Sequence, residues 1–104
     1  MRSHQWIDER SLALHAAVAA KLEARPELLD VARQNLHRWL SARPAAALRE
    51  WQVILDRAAL PEVVELLRAR SADAARLRQS SPFAGVLSQS ERQSILDVYA
   101  SRRA

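Results

Sequence analysis

Apolar residues recur at steps of three and four along most of the chain, and prolines interrupt the pattern where glycine-rich loops would otherwise be expected. That period predicts up to six helices. The first is expected from about Gln5 to Ala24, with Ile7, Leu14, Val18 and Leu22 near one face and Trp6 beside them. Asp8 and Glu9 fall in its expected first turn, where carboxylates suit the positive end of the helix dipole. Small residues from Ala16 to Ala20 would let another helix approach closely.

Pro26, Pro44 and Pro61 each read as a helix start, because proline at the first helical position gives up an N–H that has no partner there anyway. The segments they open share no residue pattern, so the prolines are punctuation and mark no repeat. The second helix is expected from Pro26 to about Ala42, with Leu29, Ala32, Leu36, Trp39 and Leu40 as its stripe. Its opposite side carries Asp30, Arg33, Gln34, His37 and Arg38. A third helix is expected over residues 44–58, with Ala47, Trp51, Ile54 and Ala58 inward and Leu48 and Leu55 flanking. The link before it is short, so Trp39 and Trp51 are expected to pack across the turn as the centre of the core.

The fourth helix should cover residues 61–69, with Val63, Val64, Leu66 and Leu67 crowded together. Ser71 is the expected N-cap of a fifth helix over 72–79, with Asp73 in its first turn and Ala72, Ala75 and Leu77 as a weak apolar face. Ser81 precedes Pro82 and so avoids helical angles, which ends that helix. Residues 80–88 form an apolar loop in which Gly85 is free to take positive φ. Ser88 and Glu91 then match a capping box and start a sixth helix with Ile95, Leu96 and Tyr99 on one face.

Composition agrees with the pattern. The chain of 104 residues is 49% hydrophobic and 27% charged, with one glycine. Alanine, leucine and arginine favour helix, and little favours strand. The expected fold class is all-α: one domain over 1–104, a compact bundle of five to six helices, mostly antiparallel, with the last helix packed back on the first ones. No cysteine is present, which removes disulfides, thiolate metal sites and cysteine nucleophiles. The first ten residues contain no apolar core of a signal peptide, and no apolar run reaches the roughly 18 residues of a membrane span. The expected protein is soluble, cytoplasmic and without contact to membranes.

Charge adds a direction. Of 16 basic residues only Lys21 is lysine, a bias that a GC-rich bacterial genome produces without any functional cause. Residues 1–67 hold nine basic and nine acidic side chains. Residues 68–104 hold seven arginines against Asp73, Glu91 and Asp97, so the net +4 resides in the last third. A local positive field favours an acidic partner, either protein or nucleic acid.

Catalysis finds little support. His4, His15 and His37 lack any metal-ligand spacing, the serines from Ser80 to Ser94 have no histidine near in sequence, and one glycine cannot build a phosphate loop. The expectation is a non-enzyme with no metal and no cofactor. Pro82, Phe83, Val86 and Leu87 could simply close the base of the core. Closing the core is the stronger expectation for Phe83 and Leu87, but the loop also offers an aromatic anchor rimmed by arginines, which is the composition of an interface. On that second reading the partner-binding residues are Arg76, Arg78, Phe83 and Arg92. Arg68, Arg70, Arg76, Arg78, Arg92, Arg102 and Arg103 also support an alternative, a small basic DNA- or RNA-binding regulator. The link between the fifth and sixth helices is too long and too apolar for a helix-turn-helix. A homo-oligomer is compatible with either reading.

The segment LRQSSPFAGVLSQSER, from Leu77 to Arg92, resembles a block found in small all-helical bacterial proteins. In size and style the chain is similar to antitoxins and immunity-type partners of toxin–antitoxin modules. The resemblance implies a helical protein that binds and neutralises or regulates a protein partner. The chain departs from DNA-binding antitoxins in having no ribbon-helix-helix, no clear helix-turn-helix and no acidic tail, and no site residues transfer from the resemblance.

Overall fold

The computed structural model describes the backbone of residues 2–103 and the side chains of residues 8–100. It is an all-α bundle: α1 (Arg2–Ala24), a 3-10 turn (Pro26–Leu28), α2 (Leu29–Ala42), α3 (Ala46–Arg57), α4 (Leu60–Arg68), α5 (Ala72–Arg78) and α6 (Gln89–Arg103), with no strand among the described residues. The long α1 is the central element, packing against α4, α5 and α6, while α2 and α3 pair with each other.

Local chemistry explains most of the boundaries. Pro26 opens a 3-10 turn that leads into α2. Pro61 lies in the first turn of α4, and Glu62 reaches back to accept from the Ala59 N–H at 3.0 Å. Pro44 behaves differently from expectation. It lies two residues before α3, and the residue before it, Arg43, is extended as a residue preceding proline should be. Ser71 caps α5 by accepting from the Ala74 N–H at 3.2 Å. Ser88 and Glu91 form the reciprocal capping box of α6, at 3.0 and 2.7 Å. Because α1 begins at Arg2, Asp8 and Glu9 lie beyond its first turn, and the expected dipole contact does not form there.

One core cluster joins α1 to α5 and the 80–88 loop. Val18, Ala19, Leu22, Leu29, Ala32, Leu36, Leu55, Val63 and Leu67 surround Trp51, which is 0% exposed. Burying an indole of ~150–250 Å² is worth on the order of 4–6 kcal/mol at about 25 cal/mol per Å². The expected tryptophan pair is corrected here. The ring that packs on Trp51 is Phe83, edge-on with centroids 5.4 Å apart, whereas Trp39 is half-buried beside a surface cleft. Phe83 reaches that place from a loop that Asn35 of α2 ties down on either side of it.

The buried face of α1 includes Val18 and Leu22 as expected, Leu12, His15 and Ala19 join them, and Leu14 is only half-buried. The expected contributions of Trp6 and Ile7 lie outside the described side chains. On α5 the exposed Ala72 gives way to Ala74. Along α6, Ile95, Leu96 and Tyr99 are half-buried and Val98 is exposed. That helix is held to α1 by the Lys21–Glu91 ion pair at 2.6 Å.

Several helices end on side chains from elsewhere in the fold. Arg33 donates to Leu55 O near the end of α3, Arg78 to Leu66 O and Ala69 O at the end of α4, and Trp51 Nε1 to Leu77 O at the end of α5. The last carbonyls of a helix have no intrahelical donor, and glycine-based caps usually satisfy them. A chain with one glycine uses long side chains instead.

Candidate functional site

The 80–88 loop is built from three local devices and one distant one. Ser81 Oγ accepts from the Phe83 N–H at 3.3 Å. Val86 N–H donates to Phe83 O at 3.1 Å, closing a turn with Gly85 at φ +90°, the angle a type II turn requires at that position. A Cβ at Gly85 would meet Val31 at an ordinary 3.7 Å, so the glycine is required for its backbone angle and not for space. The distant device is Asn35 on α2. Its Nδ2 donates to Pro82 O and Ala84 O, both at 2.8 Å, and its Oδ1 accepts from Arg38 at 2.7 Å. Helical periodicity places a buried asparagine on α2 but gives no hint of what it would bind.

The four residues expected to bind a partner occupy different settings. Phe83, 4% exposed, is core. Arg78, 7% exposed, is committed to the carbonyls at the end of α4. Burial pulls its pKa down and the nearby Asp8 raises it, but a guanidinium stays charged throughout. Arg76 is exposed and grips Glu50 with both terminal nitrogens, at 2.9 and 2.8 Å, while also bonding Asp73. These bonds raise the pKa of Arg76 and lower that of Glu50. Arg92 is exposed on the first turns of α6, with no ion pair among the described residues.

Three of the four converge on Leu14. A cleft of about 180 Å³ is lined by Leu14, His15, Val18, Phe83, Leu87 and Arg92. A neighbouring one of about 440 Å³ is lined by Asp8, Leu14, Ala75, Arg78 and Arg92. Arg92 lines both, and Arg76 stands apart, turned toward α3 by Glu50.

Folding reduces part of the charge excess expected in the last third. Arg68 pairs with Glu23, Arg70 with Glu9 and Arg76 with Glu50, each at 2.8–2.9 Å. The acidic partners come from the first 67 residues, so three of the arginines in the last third are locally neutralised. Arg102 and Arg103 lie outside the described side chains.

Two titrating groups sit close to this region. His15 is buried, and its Nδ1–H donates to Ser11 O at 2.7 Å. Burial lowers its pKa, the bond to Ser11 opposes that shift, and Arg78 adds to it. Glu91 is held down to about 2 by Lys21 and by its capping bonds to Ser88. Among the described residues no three histidine or carboxylate side chains gather as metal ligands would, and no helix is long and apolar enough to cross a membrane. No protein-family model, no curated protein and no solved structure matches the chain.

Proposed function

We propose that the protein is a non-catalytic bacterial interaction protein of the cytoplasm that binds and neutralises or regulates a protein partner, as the antitoxin of a toxin–antitoxin module does. The observation that carries this reading is Arg92, a cation without a counter-ion among the described residues, which lines two adjoining clefts that share Leu14 as an apolar floor. A partner that inserts an apolar side chain there and brings a carboxylate to Arg92 would complete both needs at once. Phe83 and Arg78 act from beneath, as the wall of the clefts, and Arg76 lies on the flank.

The alternative, a small DNA- or RNA-binding regulator, has less support. Phosphate binding draws on unpaired cations, and Arg68, Arg70 and Arg76 are already engaged by carboxylates. The test is affinity capture of the tagged chain from its native lysate, with and without nuclease, beside Arg92→Glu. A stoichiometric protein that survives nuclease and is lost with Arg92→Glu supports the reading. Retained nucleic acid that disappears with nuclease, leaving no protein, overturns it in favour of the regulator.

A further inference from the structure

Residues 31–49 contain Arg33, His37, Arg38, Arg43 and Arg49 and no carboxylate at all. The run escapes notice in a half-by-half charge sum because acidic residues before and after it cancel it. Of the carboxylates that flank the run, Glu50 turns to Arg76, and Asp30 accepts from Gln34 near the start of α2. The corner between α2 and α3 therefore carries Arg43 and Arg49 with no carboxylate in the run between them. Arg33 and Arg38 are tied to Leu55 O and Asn35 Oδ1, both uncharged acceptors that cancel nothing.

That corner holds an open cleft of about 520 Å³. Trp39, Leu48 and Ala47 form its apolar wall, Arg43 stands at one edge, and Gln79, Ser80 and Ser81 close the far side. Trp39 is half-buried there because Phe83 has taken the place beside Trp51. Arg43 is exposed and has no ion pair among the described residues. An apolar and aromatic wall, an unopposed guanidinium and hydroxyl groups opposite make up the equipment of a recognition cleft.

We propose that this Trp39–Arg43 cleft is a second docking site, which receives an acidic segment of a protein partner by seating one apolar side chain on Trp39 and Leu48 and pairing a carboxylate with Arg43. Charge complementarity chooses the occupant. A protein segment is favoured over nucleic acid because the cleft is concave and apolar with one cation on its lining, whereas a nucleic-acid strand needs a row of cations along its backbone. The site adjoins the Arg92 clefts, sharing Ser81 with one and Gln79 with the other, but its own cation is Arg43 and its own apolar wall is Trp39 and Leu48.

The experiment titrates the full chain with a synthetic peptide that alternates Glu and Leu and ends in Phe, following amide and indole resonances by NMR. Controls are the same peptide with Gln for Glu, an oligothymidine, and the variants Arg43→Glu and Arg92→Glu. Both arginines are exposed, so neither variant should unfold the chain. The expected result is saturable shifts at the Trp39 indole and at Leu48, which line this cleft and neither Arg92 cleft. Binding should weaken by about tenfold or more with Arg43→Glu, because reversal turns an attraction into a repulsion at the same distance. Read at the Trp39 indole, binding should be unchanged with Arg92→Glu and weakened with the Gln peptide. The proposal is overturned if these resonances do not move, if the Gln peptide binds equally well, if oligothymidine displaces the peptide, or if the chain alone self-associates through this cleft. Loss with Arg92→Glu alone would also overturn it, while leaving the Arg92 reading intact.

Discussion

Replacing Asn35 with alanine tests what holds the 80–88 loop. The side chain donates to Pro82 O and Ala84 O, both at 2.8 Å, and Pro82 is fully buried. Two hydrogen bonds contribute about 1 kcal/mol each, and a buried carbonyl left without a donor costs about 1–3 kcal/mol more. Water can recover part of this at the exposed Ala84, so the expected loss is about 2–4 kcal/mol. For a chain of this size each kcal/mol moves Tm by roughly 4–8 °C, which puts the variant roughly 8–32 °C below wild type. Asn35→Asp separates donation from packing. A carboxylate facing two carbonyl oxygens is repelled, so this variant should melt at least as low as the alanine one. It should recover in acid, where a protonated carboxyl can donate again. The assays are circular dichroism melts and hydrogen exchange at the Val86 amide, which closes the turn on Phe83 O. A Tm drop of less than about 4 °C with unchanged Val86 exchange would refute the reasoning, because less than ~1 kcal/mol would then have been at stake and the burial of Phe83 and Val86 would hold the loop unaided.

Two more outcomes follow from the same geometry. Phe83→Ala should cost about 3–5 kcal/mol by cavity formation and loss of the edge contact with Trp51, and a denaturant titration that found it neutral would place Phe83 outside the core. His15 is neutral in the fold because burial lowers its pKa below 6.5, so the unfolded chain takes up its proton first as pH falls. Its contribution to stability should therefore be complete above pH 6.5 and decline below it, and His15→Gln should flatten that part of a stability-versus-pH curve.

What could be read from the sequence was mostly short-range. Ser71, the Ser88–Glu91 box, the prolines at 26 and 61, and Gly85 act within four residues, and each works in the fold as its chemistry predicts. What could not be read depends on partners distant along the chain. The Trp39–Trp51 pairing failed because sequence proximity cannot weigh Phe83, which arrives from 32 residues beyond Trp51 and fits edge-on. The basic last third is a weaker surface feature than its sum suggests, because summed charge ignores where Glu9, Glu23 and Glu50 are carried. Asn35 is a polar residue at a buried position on α2, a sign that it has partners, but their identity lay 47 and 49 residues away. Of the expected site, Arg78, Phe83 and Arg92 do share a locality, although two of them are already occupied with the fold itself.

The Arg78 clasp has a consequence for how the chain acquires its shape. Nothing between Arg68 and Arg70 compels a helix to stop, since alanine and arginine are both strong helix formers, and Ser71 marks only where a new helix can begin. The break between α4 and α5 is made from outside, when Arg78 reaches Leu66 O and Ala69 O and takes over carbonyls that a continuing helix would have used. The bend is thus fastened by a guanidinium that reaches 9 and 12 residues back along its own chain, so the angle between α4 and α5 depends on one side chain.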